Sequence, residues 1–412
     1  MKLVYWFLLL FTTIVIAWVA WLLSKPKVLP AISAQRMAEL DQWMPQESRE
    51  GNTISTYTQF APMLEQLTAD IADAKHHVHI QFFKFEDDSV GNLLGDALAS
   101  RVAEGVEARL LYDDLCCSKW KPLYRRLEAQ GVQTAGYGRV PWPFFRKRDN
   151  YRNHRKIVVI DGRVAYMGGM NIADRYSHGL DWGTWHDIMI RIEGPTVAQL
   201  QRSFLIDWQY ATDNLPLGPQ YFPSVTKVGD MPIDIVCSGP IGEGPAIMQR
   251  LIELLDKSRD YVYCESPYFI PPEELMQAFC RAARRGVDIR VLQPLRGDRG
   301  ETTQHASHAL FAEAMEAGVR FGVYQPGFLH TKLTVADDSV AIVASSNIDY
   351  RSMLLCQEVA AMVADSGYAL QAKRLFAADE EQSRYIAPEE WGNRPRTQKL
   401  KEWLASIIAS QL

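Results

Sequence analysis

The chain has 412 residues, enough for two or three domains that each bury a core of their own. Its composition is that of an ordinary globular protein, with 47% hydrophobic and 23% charged residues. A formal net charge of -5 argues against a dedicated nucleic-acid binder, which carries a basic footprint, although bulk charge can hide a local basic patch.

The first element in chain order is an uncharged apolar stretch over 3–23 that lysines flank on both sides. About 20 such residues cross the hydrocarbon core as one helix. The stretch exceeds the apolar part of a usual cleaved signal peptide and lacks a small-residue cleavage site. We therefore predict one N-terminal transmembrane anchor, residues 1–24. Six cysteines without a C-x-x-C pair indicate reduced thiols, which favours a cytoplasmic catalytic portion.

An internal repeat organises the rest of the chain. The same order of helix, strand, helix and strand is predicted over 61–74, 78–85, 90–103 and 108–112, and again over 245–256, 261–264, 272–285 and 289–292. Alternation at these lengths predicts two α/β halves with parallel sheets and crossover helices. Prolines and glycines cluster near 215–227, so we place the first domain at 25–222 and the second at 223–412.

The clearest part of the repeat is a motif of His, Lys, Asp and Asn that recurs with identical internal spacing after 176 residues. The copies consist of His154, Lys156, Asp161 and Asn171, and of His330, Lys332, Asp337 and Asn347. Each copy predicts a hairpin that turns at its Asp. Residues two apart on a strand share a face, so the imidazole and the ammonium lie together and the hairpin returns the amide beside them. A nucleophile or acid, a cation and a directed donor suit a phosphate group.

On these residues the sequence resembles the phospholipase D superfamily, whose signature is His-x-Lys-x4-Asp carried twice in one chain. The resemblance implies two pseudo-symmetric α/β domains that share one central active site and need no metal or other cofactor. It implies that one histidine forms a covalent phosphatidyl-histidine while the other serves as acid and then as base. We assign His154 as nucleophile and His330 as acid/base, an order that the internal symmetry leaves open.

The resemblance also assigns roles to the remaining motif residues. The phosphoryl oxygens would be held by Lys156, Lys332, Asn171, Asn347 and Ser346. Asp161 and Asp337 complete the catalytic motifs, but we interpret them as fixing turns rather than touching substrate.

A histidine nucleophile needs an acceptor that holds its other ring nitrogen. Asp187, 33 residues after His154, and Glu358, 28 residues after His330, are the candidates. The superfamily places a carboxylate at about these points, and ordinary surface acids are the alternative.

Further stretches resemble bacterial cardiolipin synthases, which condense two phosphatidylglycerols into cardiolipin and glycerol. They lie at 112–114, 151–156, 169–174, 267–271, 325–330 and 346–352. The resemblance implies a bacterial inner-membrane enzyme with phosphatidylglycerol as substrate. The family commonly has two N-terminal spans, whereas the single apolar stretch here predicts a single-pass protein. The charge and the anchor argue against nucleic acid as a partner, and the sequence does not indicate the oligomeric state. A membrane-bound phospholipase D hydrolase or another phosphatidyltransferase is the alternative. A nuclease ranks third, and a catalytically silent scaffold is disfavoured because all eight motif residues are present.

Two other segments bear on membrane contact. Residues 141–148 join aromatics to a basic cluster, which indicates either an interfacial segment or a loop packed on the body. Near the C-terminus, apolar residues at helical spacing predict an amphipathic helix that either docks on the domain or lies on the bilayer: Leu400, Trp403, Leu404, Ile407 and Ile408.

Overall fold

The computed structural model describes residues 12–13, 32–44, 49–140, 147–297 and 301–409. Nearly all of the predicted anchor, residues 1–24, and most of the aromatic and basic segment 141–148 lie outside these residues. Within the described ranges, no helix combines the length and apolar character that a membrane crossing requires. All six cysteines are free thiols, as expected.

The first half follows the predicted order of elements. Its helices are α1 (Ala34–Asp41), α2 (Phe60–Ala72), α3 (Ser89–Ala103), α4 (Lys121–Ala129), α5 (Arg175–His178) and α6 (Val197–Thr212). Its strands are β1 (Thr53–Tyr57), β2 (His77–Phe82), β3 (Glu107–Asp113), β4 (Gln133–Tyr137), β5 (Arg152–Asn153), β6 (Ile157–Ile160), β7 (Val164–Gly168), β8 (Thr184–His186) and β9 (Met189–Glu193). Short 3₁₀ helices cover Ser118–Trp120, Lys147–Asn150 and Pro219–Tyr221.

The second half repeats this order and adds helices at its end. Its helices are α7 (Ala246–Lys257), α8 (Glu273–Arg284), α9 (Thr302–Ala317), α10 (Tyr350–Leu354), α11 (Ser366–Glu381), α12 (Pro388–Gly392) and α13 (Arg396–Ile407). Its strands are β10 (Ile233–Ser238), β11 (Tyr261–Glu265), β12 (Phe269–Ile270), β13 (Asp288–Pro294), β14 (Arg320–Tyr324), β15 (Gly327–Leu329), β16 (Leu333–Ala336), β17 (Val340–Ala344), β18 (Ile348–Asp349), β19 (Cys356–Val363) and β20 (Ser383–Tyr385).

Each half is built on a mixed sheet, and the two sheets share one strand order. The first runs β1-β9-β7-β6-β2-β3-β4, and the second runs β10-β19-β17-β16-β11-β13-β14 with β20 at its edge. The predicted parallel arrangement holds for β2, β3 and β4 and for their counterparts β11, β13 and β14. The remaining neighbours are antiparallel, because a tight turn such as the one between β6 and β7 can join only antiparallel strands.

The two halves share a buried core that lies between their sheets. Ile157 and Val159 of β6 pack there together with Leu333 and Val335 of β16. Val158, which points to the other face of β6, packs instead in the core of the first half. Because successive side chains of a strand alternate between faces, an apolar run such as β6 supplies both cores. The shared core brings the two motif hairpins together.

Candidate active site

Both motif hairpins hold their turns in the same way. Asp161 and Asp337 adopt left-handed backbone angles, with φ of 52° and 50°. The carboxylate of Asp161 accepts backbone N–H bonds from residues 75, 76 and 77 at 2.7, 2.7 and 2.9 Å. Asp337 accepts the equivalent three from residues 259, 260 and 261. These bonds tie each turn to the start of β2 or β11, which supports a turn-fixing role and sets the two aspartates apart from the rest of the catalytic motifs.

Two short parallel strand pairs carry the histidines across the boundary between the halves. β5 pairs with β19, with Asn153 opposite Gln357. β15 pairs with β8, with Leu329 opposite His186. The next residue after each of these four is a functional side chain, so the pairing sets His154 beside Glu358 and His330 beside Asp187. The backbone N–H of His154 donates to Gln357 O at 2.9 Å, and that of His330 donates to His186 O at 2.7 Å.

Each histidine is therefore held by a carboxylate from the other half. Nδ1 of His154 lies 2.9 Å from Oε1 of Glu358, and Nδ1 of His330 lies 2.6 Å from Oδ2 of Asp187. In sequence, Asp187 follows His154 and Glu358 follows His330. In the structure each acid instead contacts the histidine of the other half. Since a carboxylate can only accept, Nδ1 of each ring carries the proton and Nε2 presents a lone pair.

The two carboxylates are buried and ionised. Burial raises the pKa of Glu358, but the attraction of His154 and Lys156 and hydrogen bonds from its neighbours outweigh it, so the pKa lies below its ordinary value. The same balance, with His330 and Lys332 as the attracting groups, lowers the pKa of Asp187. Ser345 contributes to this environment by donating its Oγ–H to Oε2 of Glu358 at 2.5 Å.

Both histidines are neutral near pH 7. Burial lowers the pKa of His154 to about 4, with Glu358 opposing the shift and the lysines of both halves adding to it. Burial, followed by Lys332, lowers the pKa of His330 to about 4 as well. Each ring keeps 12% of its side chain exposed. A neutral imidazole with a free Nε2 lone pair is competent to attack phosphorus.

The motif lysines add positive charge beside both rings. Lys156 Nζ donates to the carbonyl oxygen of His154 at 2.5 Å, and Lys332 Nζ donates to that of His330. Burial lowers the pKa of Lys156 to about 7, although the attraction of Glu358 opposes the shift. Lys332 lowers the pKa of His154, and Lys156 lowers that of His330. The lysine of each half thus lowers the pKa of the histidine of the other half, as one shared site requires.

The predicted phosphate-binding amides already have local partners. Asn171 accepts the backbone N–H of Lys84 at 3.1 Å and donates to the hydroxyl of Tyr176 at 2.6 Å. Asn347 donates to Asp349 at 2.8 Å, while its Oδ1 meets no donor among the described residues. These bonds fix both amides and leave each one N–H for a ligand. Ser346 lines a small cavity together with Lys332.

Three aromatic side chains lie against the histidine rings. The ring of Phe83 lies 4.6 Å from that of His154, and the rings of Trp185 and Phe328 lie 5.1 and 5.6 Å from that of His330. These aromatics surround both imidazoles with apolar surface, which contributes to the burial that lowers their pKa values. Phe328 lies in the stretch 325–330 that carries the family resemblance, whereas Phe83 and Trp185 lie outside all such stretches, so only the folded structure identifies those two.

A buried acid pair lies behind His330. Both carboxylate oxygens of Glu265 lack a donor among the described residues. Burial and the neighbouring Asp379 hold the pKa of Glu265 well above its ordinary value, so it keeps a proton that it can donate to Asp379. Asp379 also lies 2.8 Å from Nε2 of His186, whose backbone carbonyl bonds to His330. The equivalent position in β2 is Gln81, which donates to Asp207 at 2.6 Å.

The duplicated fold and the two crossed histidine–carboxylate pairs define a protein of the phospholipase D class. A family model described as cardiolipin synthase, PLD-like domain, matches residues 67–208 and 251–380. The chain therefore belongs to the cardiolipin synthase family of phospholipase D-like proteins.

Individual relatives agree with this assignment. Cardiolipin synthase 1 of Staphylococcus epidermidis is 33% identical over 366 residues, which cover 87% of this chain and 74% of that protein. The cardiolipin synthase of Listeria welshimeri is 33% identical over 369 residues, covering 87% of this chain and 75% of that protein. Among solved structures, the phosphatidylserine synthase of Haemophilus influenzae shares the fold. Its TM-score is 0.66 at 14% identity, and the match covers 87% of this chain and 95% of that one.

Proposed function

We propose that the chain is a phosphatidyltransferase that joins two phosphatidylglycerol molecules into cardiolipin and free glycerol. The observation that carries the proposal is the pair of buried, neutral histidines, each held at Nδ1 by a carboxylate from the opposite half. With the lysines beside them, they supply a nucleophile, an acid/base and positive charge to one phosphodiester. The names of the cardiolipin synthases that are 33% identical support the choice of product.

In the first step, Nε2 of His154 attacks the phosphorus of one phosphatidylglycerol. The N–P bond forms as the bond between phosphorus and the headgroup glycerol oxygen breaks. Nε2 of His330, protonated in the presence of the anionic phosphodiester, gives its proton to the departing oxygen, so neutral glycerol leaves. The imidazole of His154 gains positive charge in this step, and Glu358 at Nδ1 balances it.

In the second step, a headgroup hydroxyl of another phosphatidylglycerol enters. His330 takes the hydroxyl proton at Nε2 while the oxygen attacks phosphorus and the N–P bond breaks, which returns His154 to its neutral form. Two phosphodiesters enter the cycle and two leave it, within one cardiolipin molecule. Lys156 and Lys332 balance the charge of the non-bridging oxygens, with Asn171, Asn347 and Ser346 as additional donors.

We further propose that residues 1–24 anchor the enzyme in the bacterial inner membrane as a single span with the catalytic portion in the cytoplasm. The uncharged stretch 3–23 with flanking lysines supports this arrangement. It would hold the active site near its lipid substrate.

The test uses the purified full-length protein in mixed micelles in which phosphatidylglycerol, labelled in headgroup and acyl chains, is the only lipid. We expect cardiolipin and free glycerol in equal amounts. His154→Ala and His330→Ala should each lower turnover by about 10³-fold or more, by analogy with loss of one member of a catalytic unit. His76→Ala, which removes an exposed histidine, is the matched control and should retain full activity.

Each other outcome supports a different reading. Phosphatidic acid without cardiolipin would keep the phosphohistidine chemistry and replace the synthase by a hydrolase. Turnover only after phosphatidylethanolamine or another alcohol is added would indicate a different phosphatidyltransferase. Full activity in both histidine variants would contradict the mechanism itself.

A further inference from the structure

The C-terminal helix α13 packs on the body of the protein with its polar side. Glu402 is 2% exposed, and its carboxylate accepts hydrogen bonds from Arg394 at 2.7 Å and from Gln398 at 3.0 Å. His308 of α9 lies 4.0 Å from the same carboxylate, and Gln398 bonds to His305 at 3.2 Å. This buried polar cluster fixes which side of the helix points inward, because an unpaired buried carboxylate is costly.

The opposite side of α13 is apolar and exposed. Its side chains keep 45–59% of their surface in solvent and comprise Leu400, Trp403, Leu404, Ile407 and Ile408. They are five of the eleven large hydrophobic side chains that are exposed in the described part of the chain. The spacing of three and four residues places them on one side of the helix, which we call the outer stripe. A surface helix normally buries such a stripe against the protein. The exposure of this stripe therefore indicates an interaction site for another apolar surface.

Charge selects the occupant of this surface. The exposed charged side chains of α13 are Arg396, Lys399 and Lys401, all of them basic. Its one acid, Glu402, is buried and paired with Arg394. A second copy of the chain would bring the same basic residues into the contact and repel them, whereas an anionic lipid surface attracts them. The local positive charge is notable in a chain of net charge -5.

The helix is also linked to the active-site framework. Ala405 of α13 packs in one cluster with Ile270 of β12 and Ala306 of α9. β12 pairs with β18, whose first residue directly follows Asn347 of the second motif. A surface held on this framework therefore has a fixed position relative to the second motif.

We propose that the outer stripe of α13 inserts into the headgroup region of an anionic phospholipid bilayer and orients the catalytic cleft toward its lipid substrate. The choice of a lipid surface rests on the proposed function, while the exposed apolar side and its basic flanks are properties of the helix alone. The two sequence-based alternatives are compatible with each other, because α13 docks on the domain through one side and leaves its other side exposed.

The functional test compares full-length Leu400→Gln/Leu404→Gln with full-length Val228→Gln/Leu370→Gln, which removes two exposed apolar side chains elsewhere. Each is assayed on phosphatidylglycerol in vesicles and on monomeric short-chain phosphatidylglycerol. We expect the α13 variant to lose about ten-fold or more in kcat/KM on vesicles and less than about two-fold on the monomeric substrate. The control variant should match the wild type on both. Equal activity of the two variants on vesicles would overturn the proposal.

A second measurement does not depend on catalysis. The full-length protein and its Trp403→Phe variant are reconstituted in vesicles of phosphatidylglycerol and phosphatidylcholine with brominated acyl chains, which quench nearby tryptophan. We expect the fluorescence contributed by Trp403 to be quenched, and less so when phosphatidylglycerol is left out. The proposal would be overturned in favour of a second copy of the chain if Trp403 is not quenched and if sedimentation shows a dimer that Leu400→Gln/Leu404→Gln disrupts. If the wild type is inactive on both substrates but Trp403 is quenched, the proposed function is wrong and the membrane contact of α13 is still supported.

Discussion

At the scale of single residues, the two motif histidines are equal in almost every contact. Each donates Nδ1–H to a buried carboxylate, each bonds a lysine through its own carbonyl oxygen, and burial lowers the pKa of each to about 4. One difference is the second hydrogen-bond donor to each carboxylate: the Ser345 hydroxyl donates to Glu358, whereas the backbone N–H of Ile188 donates to Asp187 at 2.8 Å. The nucleophile must therefore be identified by chemistry.

An activated substrate separates the two roles. With a phosphatidyl ester of p-nitrophenol the leaving group needs no proton, so His330→Ala should still form the covalent intermediate through His154. We expect a burst of about one equivalent of nitrophenol per site in this variant and none in His154→Ala. Stopped-flow absorbance measures it, and the reverse pattern would exchange the two assignments.

The lowered histidine pKa values also predict how stability depends on pH. The pKa of His330 is about 4 in the folded protein and about 6.5 when unfolded, so folding favours the neutral ring. Its contribution is complete above about pH 6.5 and is lost as the pH falls toward 4, at up to about 1.4 kcal/mol per pH unit. His330→Gln keeps an N–H for Asp187 but does not titrate. Urea unfolding between about pH 7 and pH 5 should therefore show a smaller loss for this variant than for the wild type. Parallel curves would contradict the assigned pKa, and His76→Gln serves as control.

At the scale of elements, the crossed pairs depend on close approach of two backbones. A Cβ on Gly327 would lie 2.1 Å from the carbonyl oxygen of Thr184, within the β8–β15 pair. Thr184 is backbone-paired to this position, so neither strand can give way without moving His186 and hence His330.

Gly327→Ala should consequently separate His330 from Asp187. We expect kcat to fall by about 10²-fold or more and the free energy of unfolding to fall by about 1–3 kcal/mol. Steady-state kinetics and urea unfolding measure the two effects. Gly392→Ala is the matched control because a Cβ there meets nothing within 4 Å. Wild-type kcat in Gly327→Ala would show that the β8–β15 pair does not position the histidine.

The regular elements were predictable because they repeat strong local patterns. The helix predicted over 90–103 is observed as Ser89–Ala103, and the strand predicted over 108–112 is observed as Glu107–Asp113. The crossing strands β5, β8 and β15 have two or three residues each, too few to show a period. These strands form only because the two halves pack together. No local sequence pattern could therefore predict that each acid contacts the histidine of the other half. Ser345 was missed for a similar reason, since only the end of β17 decides that it, rather than Ser346, faces Glu358.

At the scale of the whole molecule, one chain supplies both histidines and both carboxylates of the candidate site. His154 and Asp187 come from the first half and His330 and Glu358 from the second, and the shared core between the sheets holds them together. The duplicated motif was sufficient to predict two similar halves and one common site. The relative placement of the halves follows from burial between the sheets, which no local pattern encodes.

A single-chain site predicts that inactive variants do not rescue one another. Mixing or co-expressing His154→Ala with His330→Ala should yield no more activity than either alone, because each chain lacks one member of its own pair. Cardiolipin formation by the mixture measures this. Recovery well above the sum of the separate variants would instead place the functional site between two chains.

The near equivalence of the two histidine–acid pairs has a consequence for the reverse reaction. Two interchangeable imidazoles treat a departing alcohol and an arriving one alike, so the same groups serve the forward and the reverse exchange. The exchange also leaves the number of phosphodiester bonds unchanged, which makes its equilibrium constant close to one. Nothing in such a site sets a direction. Loss of glycerol from the membrane surface would draw the reaction toward cardiolipin, and a high glycerol concentration would return it to phosphatidylglycerol.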